Sequence, residues 1–248
     1  FLMLRAVQNG VFMEKPVMIA LDFKDRGELN QFLEQFPEHL KLTIKLGMEL
    51  FYGMGPEIVR DMRQKGHDIF LDLKLNDIPN TVEKAMIQLG RMGVQYTTIH
   101  AMGGSDMIRA AKRGLVVGAR EVDLPTPKLL AVTELTSISE KQLSEEQNVS
   151  LPMADQVLSL AKLTSTAGGD GVICSPNEVS YLKPQLPEDF LFVTPGIRPA
   201  GAAKGDQKRT MTPAEAAKAG SSAIVVGRPI TQSEDPVVAY QAILSEFN

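Results

Sequence analysis

A chain of 248 residues, 44% apolar and 23% charged, has the composition of an ordinary globular protein and the length for one large α/β domain or two small ones. A formal net charge of −4 without a basic stripe argues against nucleic acid as a partner. No apolar run approaches the roughly 18 residues of a membrane span, so the expected compartment is the cytoplasm. The single Cys174 excludes an internal disulfide framework and an all-cysteine metal site; in the apolar run 171–174 it reads as a small buried residue.

Residues 1–12 open without Met, and Arg5 follows the short apolar run instead of preceding it, which is not a signal-peptide layout. They are assigned no role, and the folded unit is expected over 13–248. From there β-rich apolar runs recur at 17–21, 42–46, 69–73, 96–100, 128–133, 171–174, 190–194 and 222–227. Amphipathic stretches separate them, such as 81–90 with Val82, Ala85, Met86 and Leu89 at helical spacing. Strands alternating with helices predict βαβ units and a parallel sheet. Eight units match the (β/α)8 TIM barrel, typically of about 250 residues. The alternative is a doubly wound open sheet, which usually carries a glycine-rich first turn; the first turn here is LDFKD. The longest irregular stretch is predicted at about 195–213, a length that often marks a lid or binding loop.

The most telling stretch is 72–81, DLKLNDIPNT. Side chains on a strand alternate faces, so Asp72 and Lys74 share one face and Leu71, Leu73 and Leu75 the other. A buried strand tolerates two charges on one face only when they pair or work. Strict alternation also carries Asn76 to the inward face unless the backbone is already turning.

Active sites of (β/α)8 barrels form at the C-terminal ends of the strands. Polar residues collect there: Asp22 after the first run, Lys45 in the second, Asp72 and Lys74 in the third. Thr133 ends the fifth run, with Thr136 and Ser137 after it; Gly196 and Arg198 follow the seventh; Gly227 ends the eighth, with Arg228 after it. In the second run Leu42, Ile44 and Leu46 face one way and Lys45 the other; in the first, Val17, Ile19 and Leu21 face the helices and Asp22 the interior. The alternative is a set of salt bridges filling the barrel, against the usual preference for branched apolar side chains there. The loops after strands seven and eight are the usual phosphate site, and they supply Gly196, Arg198, Gln207, Gly227 and Arg228. His39 and His67 read as solvated. His100 closes the fourth run and either lines the mouth or packs structurally. No His/Asp/Glu cluster has metal-binding spacing, and no nucleophile elbow is present.

The stretch 72–81 closely resembles the signature of the orotidine 5′-phosphate decarboxylase family. The segments ALD (20–22), IKLG (44–47), LTS (135–137), TPGIR (194–198), GDQ (205–207) and VGRPIT (226–231) follow in the family's order. The resemblance runs along nearly the whole chain and is greatest to the bacterial form. One departure is Asn76, where many members have His. The resemblance implies a cofactor-free, metal-free decarboxylation of orotidine 5′-monophosphate to UMP, the last step of de novo pyrimidine nucleotide synthesis. It also implies a homodimer in which Asp77 and Thr81 reach the neighbouring site. Lys45, Asp72, Lys74 and Asp77 match the alternating charged network, with Lys74 the proton donor. Asp22 and Lys45 match ribose contacts, Thr136 and Ser137 the pyrimidine side. Arg198, Gln207, Gly227 and Arg228 match substrate- and phosphate-binding positions.

Two other readings stay open on sequence. One is a Mg2+-dependent sugar-phosphate decarboxylase or aldolase of related barrel type, which shares an Asp-x-Lys-x-x-Asp core. The other is a non-catalytic barrel that binds phosphorylated ligands.

Overall fold

The eight apolar runs become eight parallel strands, each hydrogen-bonded to the next in chain order, and the eighth closes on the first. The structure, a computed structural model, describes residues 14–200 and 210–248. The strands are β1 Val17–Leu21, β2 Thr43–Leu46, β3 Asp68–Leu75, β4 Tyr96–His100, β5 Lys128–Val132, β6 Gly171–Ile173, β7 Leu191–Thr194 and β8 Ala223–Val226. The predicted TIM barrel is therefore the observed fold. β1 and β4 coincide with their predicted runs, and the others differ by a residue or two at their ends.

Alternation along the strands sorts side chains into two apolar layers. Val17, Ile19, Leu21, Ile44, Leu46, Ile69, Leu71, Ile99, Leu129, Ile224 and Val226 pack outward against the helices. Met18, Ala20, Phe70, Leu130, Val193, Ala223 and Val225 fill the barrel interior, with Tyr96, Ile173 and Leu191 at their edge. Cys174 is buried in a further cluster with Val157, Val172 and Phe192, as expected for a small apolar residue.

β3 departs from regular geometry. Four steps along it, Leu71 to Leu75, face only two along β4, Thr97 to Ile99. The excess is a bulge, a device that re-aims side chains near sites. Lys74 lies within it in the left-handed region, with φ 53°, which a residue bearing a Cβ seldom adopts. The bulge breaks the alternation that sequence reasoning extended to Asn76: that residue is exposed, its amide oxygen against Gly103.

Behind β3 and β4, the helices Pro79–Arg91 and Gly104–Glu121 pack backbone to backbone. The first begins with proline at its opening position, where the missing N–H costs nothing. In the second, Gly114 and Gly118 sit against the carbonyls of Glu83 and Ile87, leaving no room for a Cβ. This contact fixes the start of the first helix, and with it the segment holding Asp77 and Thr81. Among the described residues no helix is long and apolar enough to cross a membrane.

Candidate active site

A cavity of about 660 Å³ opens at the C-terminal ends of the strands. Its floor is the inner apolar layer, represented by Ala20, Phe70, Ile173 and Val225. Its walls carry most of the polar residues singled out above: Asp22, Lys45, Asp72, Lys74, Thr136, Arg198, Gly227 and Arg228.

The acidic and basic side chains of β1 to β3 alternate in space. Lys45 Nζ stands 3.5 Å from Asp22 Oδ1 and 3.7 Å from Asp72 Oδ2. Lys74 Nζ stands 2.8 Å from the same Asp72 oxygen. Asp72 is thus held between two ammonium groups. The side chains of Lys45 and Asp72 are only 13% and 10% exposed, whereas that of Asp22 is 65% exposed at the rim. Removing either lysine would leave the buried carboxylate short of a partner, the costly way to break such a pair.

The other carboxylate oxygen of Asp72 is also engaged. Thr98 Oγ1, fully buried on β4, donates to Asp72 Oδ1 at 2.9 Å and accepts the backbone N–H of Lys74 at 2.9 Å. His100, two residues on, is half-buried; burial lowers its pKa most, and the ammonium of Lys74 lowers it further.

The adjoining wall, past the seam where β8 pairs with β1, is built from loop residues. Gly196 adopts φ 78°, a turn that favours glycine, and admits the chain from β7 to Arg198. The Arg198 N–H donates to the Met211 carbonyl at 2.9 Å, beside a bridge pairing Ile197 with Met211. Arg198 and Arg228 both line the cavity that holds the array on β1 to β3; Arg198 Nη1 donates to the Ile197 carbonyl at 2.8 Å. Such forked donors suit an anion with several oxygens.

Some expected residues lie elsewhere. Asp77 and Thr81 are exposed and line no part of this chain's cavity; Asp77 Oδ1 accepts the neighbouring Ile78 N–H at 2.7 Å. Ser137 is exposed beyond the cavity wall, unlike its neighbour Thr136. Gln207 lies outside the described residues. His67 is half-buried, not solvated as its polar setting suggested, and its Nδ1 accepts the Leu42 N–H at 3.4 Å. Among the described residues no three His, Cys, Asp or Glu side chains gather closely enough to hold a metal ion.

Sequence reasoning missed three contributors. Thr98 was hidden because a strand threonine is commonplace; only the β3 bulge gives its hydroxyl two partners. Glu134 is buried in the cavity wall and accepts from Gln156 Nε2 at 3.3 Å. Its position between Thr133 and Thr136, at a strand end, was the available signal. Gln232, beyond the short helix Arg228–Thr231, also lines the cavity.

A closed parallel barrel with interlocked charges at the C-terminal mouth and two arginines lining the same cavity defines a (β/α)8-barrel enzyme. The sequence model of the Orotidine 5'-phosphate decarboxylase / HUMPS family matches residues 15–243, and the chain belongs to that family. Over 236 residues it is 56% identical to the orotidine 5'-phosphate decarboxylase of Lactobacillus johnsonii, covering 95% of this chain and all 100% of that one. The crystal structure of the Lactobacillus acidophilus orotidine 5'-phosphate decarboxylase superposes with a TM-score of 0.84 at 51% identity, covering 94% of this chain and 99% of that one. The Pyrococcus horikoshii decarboxylase retains the fold at 26% identity, with a TM-score of 0.71 over 93% of this chain and 98% of that one.

Proposed function

We propose that this chain decarboxylates orotidine 5′-monophosphate to UMP and CO2 without a cofactor, as the last step of de novo pyrimidine nucleotide synthesis in the cytoplasm. The observation that carries the reading is the Asp22–Lys45–Asp72–Lys74 array facing the same cavity as Arg198 and Arg228. Residues 13–248 form the catalytic unit.

The chemistry needs such an array. When the C6–carboxylate bond breaks, CO2 departs and the bonding pair stays on C6, in the ring plane, with no adjacent electron sink. A fixed cation is the available stabiliser, and placing one in advance is worth far more in a dry site than in water. Lys74 is that cation, and it then gives a proton to C6. Asp72 aims the ammonium and balances its charge through their 2.8 Å ion pair. Lys45 and Asp22 hold the ribose hydroxyls, Thr136 addresses the pyrimidine, and Arg198, Gln207, Gly227 and Arg228 grip the phosphate. Binding energy from that remote phosphate assists the chemical step.

Asp77 and Thr81 complete the site of a second copy. Their exposure outside this chain's own cavity supports the assignment, and it makes the active form a homodimer. The test of the reading is direct. The protein is mixed with orotidine 5′-monophosphate in excess EDTA, and the ultraviolet spectrum is followed. Conversion to the UMP spectrum is expected; an unchanged spectrum at high protein concentration rejects the reading. Turnover of a sugar phosphate that EDTA abolishes would point instead to the Mg2+-dependent reading.

A further inference from the structure

Thr98 stands behind the charged pair instead of in the cavity. On β4, Tyr96 packs with the interior cluster and Ile99 with the outer one, so Thr98 shares the inward face with Tyr96. It is fully buried and absent from the cavity lining. Its hydroxyl meets Asp72 Oδ1 at 2.9 Å and the Lys74 N–H at 2.9 Å.

The sense of these two bonds is fixed by chemistry. A backbone N–H only donates, and an ionised carboxylate only accepts. The single hydroxyl proton therefore goes to Asp72, and the oxygen lone pair receives Lys74. One atom thus bridges the carboxylate to the backbone of the residue that carries its counterion. With Oδ1 occupied, Asp72 turns Oδ2 toward Lys74 and Lys45. The second bond falls inside the β3 bulge, where regular pairing with β4 is interrupted between Leu71 and Leu75. There the Lys74 backbone adopts φ 53°. An uncommon backbone conformation persists only where its surroundings over-determine it. The Thr98 oxygen supplies a partner that the strand ladder does not.

We infer that Thr98 is a positioning residue: its side-chain hydroxyl fixes the Asp72 carboxylate and the left-handed backbone of Lys74 together, and so sets where the Lys74 ammonium stands. The inference rests on the decarboxylase reading of the cavity. Valine keeps the shape of threonine and removes the hydroxyl. It leaves a part-buried N–H and a carboxylate oxygen each short of a bond, and the bulge shifts to recover them.

The experiment compares the parent with Thr98→Val and Thr98→Ser in the full chain. Turnover of orotidine 5′-monophosphate gives kcat and KM. Independently, lysines are reductively 13C-methylated, and the Lys74 resonance is assigned by its absence in Lys74→Arg. Thr98→Val is expected to lower kcat about 10- to 100-fold, the scale of a small misplacement of a reacting group, with KM near the parent value and the Lys74 resonance displaced. Thr98→Ser restores both. An unchanged kcat in folded Thr98→Val, an unmoved Lys74 resonance, or a serine variant as impaired as valine overturns the assignment. Should valine fail to fold, Thr98→Ala against Thr98→Ser decides the same point. A parent that does not turn over the substrate rejects the decarboxylase reading alone, because the resonance still reports on Thr98.

Discussion

The two sides of the cavity are built from different materials. From β1 to β4, the polar groups are bonded to one another and stand on or just beyond strands: Lys45 to Asp22 and Asp72, Lys74 to Asp72, Asp72 to Thr98. Around β7 and β8, Arg198 and Arg228 stand on a loop and at the start of a four-residue helix, behind glycines that let the chain turn. Strand-borne groups whose rotamers are locked by neighbours can hold a reacting atom to a fraction of an ångström. Loop-borne guanidiniums hold less tightly, but they recognise the planar oxygen edges of an anion well. The contrast suggests a division of labour, with bond breaking assigned to the first side and retention of the phosphate to the second. Substitutions on each side should then fail in different kinetic constants.

The largest effect is expected on the strand side. Lys74→Ala removes the stabilising cation and the proton donor together, and kcat should fall at least about 100- to 10,000-fold, the range of a lost general acid. Circular dichroism should stay native, since the Lys74 side chain reaches the cavity and not the core. Steady-state kinetics with less than a ~10-fold loss would remove Lys74 from this role. On the loop side, Arg228→Ala should raise KM more than it lowers kcat. Loss of charge-assisted hydrogen bonds worth about 1.5–3 kcal/mol corresponds to roughly a 10- to 100-fold change. The same substitution should scarcely alter turnover of orotidine lacking the phosphate. Equal losses with both substrates would erase the proposed division.

The strand side was the more legible of the two in sequence, for a physical reason. Period-two alternation is enforced by the pleat, so DLKL after an apolar run places Asp72 and Lys74 on one face. The barrel was legible in the same way, because each apolar run had to bury one face on helices and the other on its neighbours. Alternation failed at Asn76, past a bulge that no residue type in LKLND announces. Thr98 was invisible for the same cause, since its partners depend on the β3–β4 register. On the loop side, sequence supplied candidates without geometry: Thr136 enters the cavity while Ser137, one residue later, does not.

The strand side also rests on the packing behind it, which provides a third test. Gly118 on the helix Gly104–Glu121 has the Ile87 carbonyl where a Cβ would stand. Gly118→Ala should therefore push that helix away from Pro79–Arg91, at a cost of about 1–3 kcal/mol typical of overpacking. Thermal melts would register the loss. Residual activity should drop through kcat before KM, because β3 and β4 lie against this helix pair and the arginines do not. A selective rise in KM would instead tie the two sides mechanically.

The smallest effect tests how far the charge of the strand side reaches. His67 and His100 both titrate below the ordinary histidine value of about 6.5, in each case chiefly through burial. The unfolded chain binds protons that the folded chain resists, so their contribution to stability is present above about pH 6.5 and is lost as pH falls through the depressed folded values. Each histidine can tilt stability by at most about 1.4 kcal/mol per pH unit across that window. Melts between pH 7.5 and pH 5, set by the ordinary histidine value of about 6.5, should show a falling midpoint, less steep in His67→Gln. The two histidines differ in their second cause: Lys74 for His100, Lys65 for His67. In Lys74→Met, an NMR titration should find the His100 value raised and the His67 value unmoved. If His100 also stayed fixed, the field of the Lys74 ammonium would not reach the end of β4, and the strand side would be a less tightly coupled array than its geometry implies.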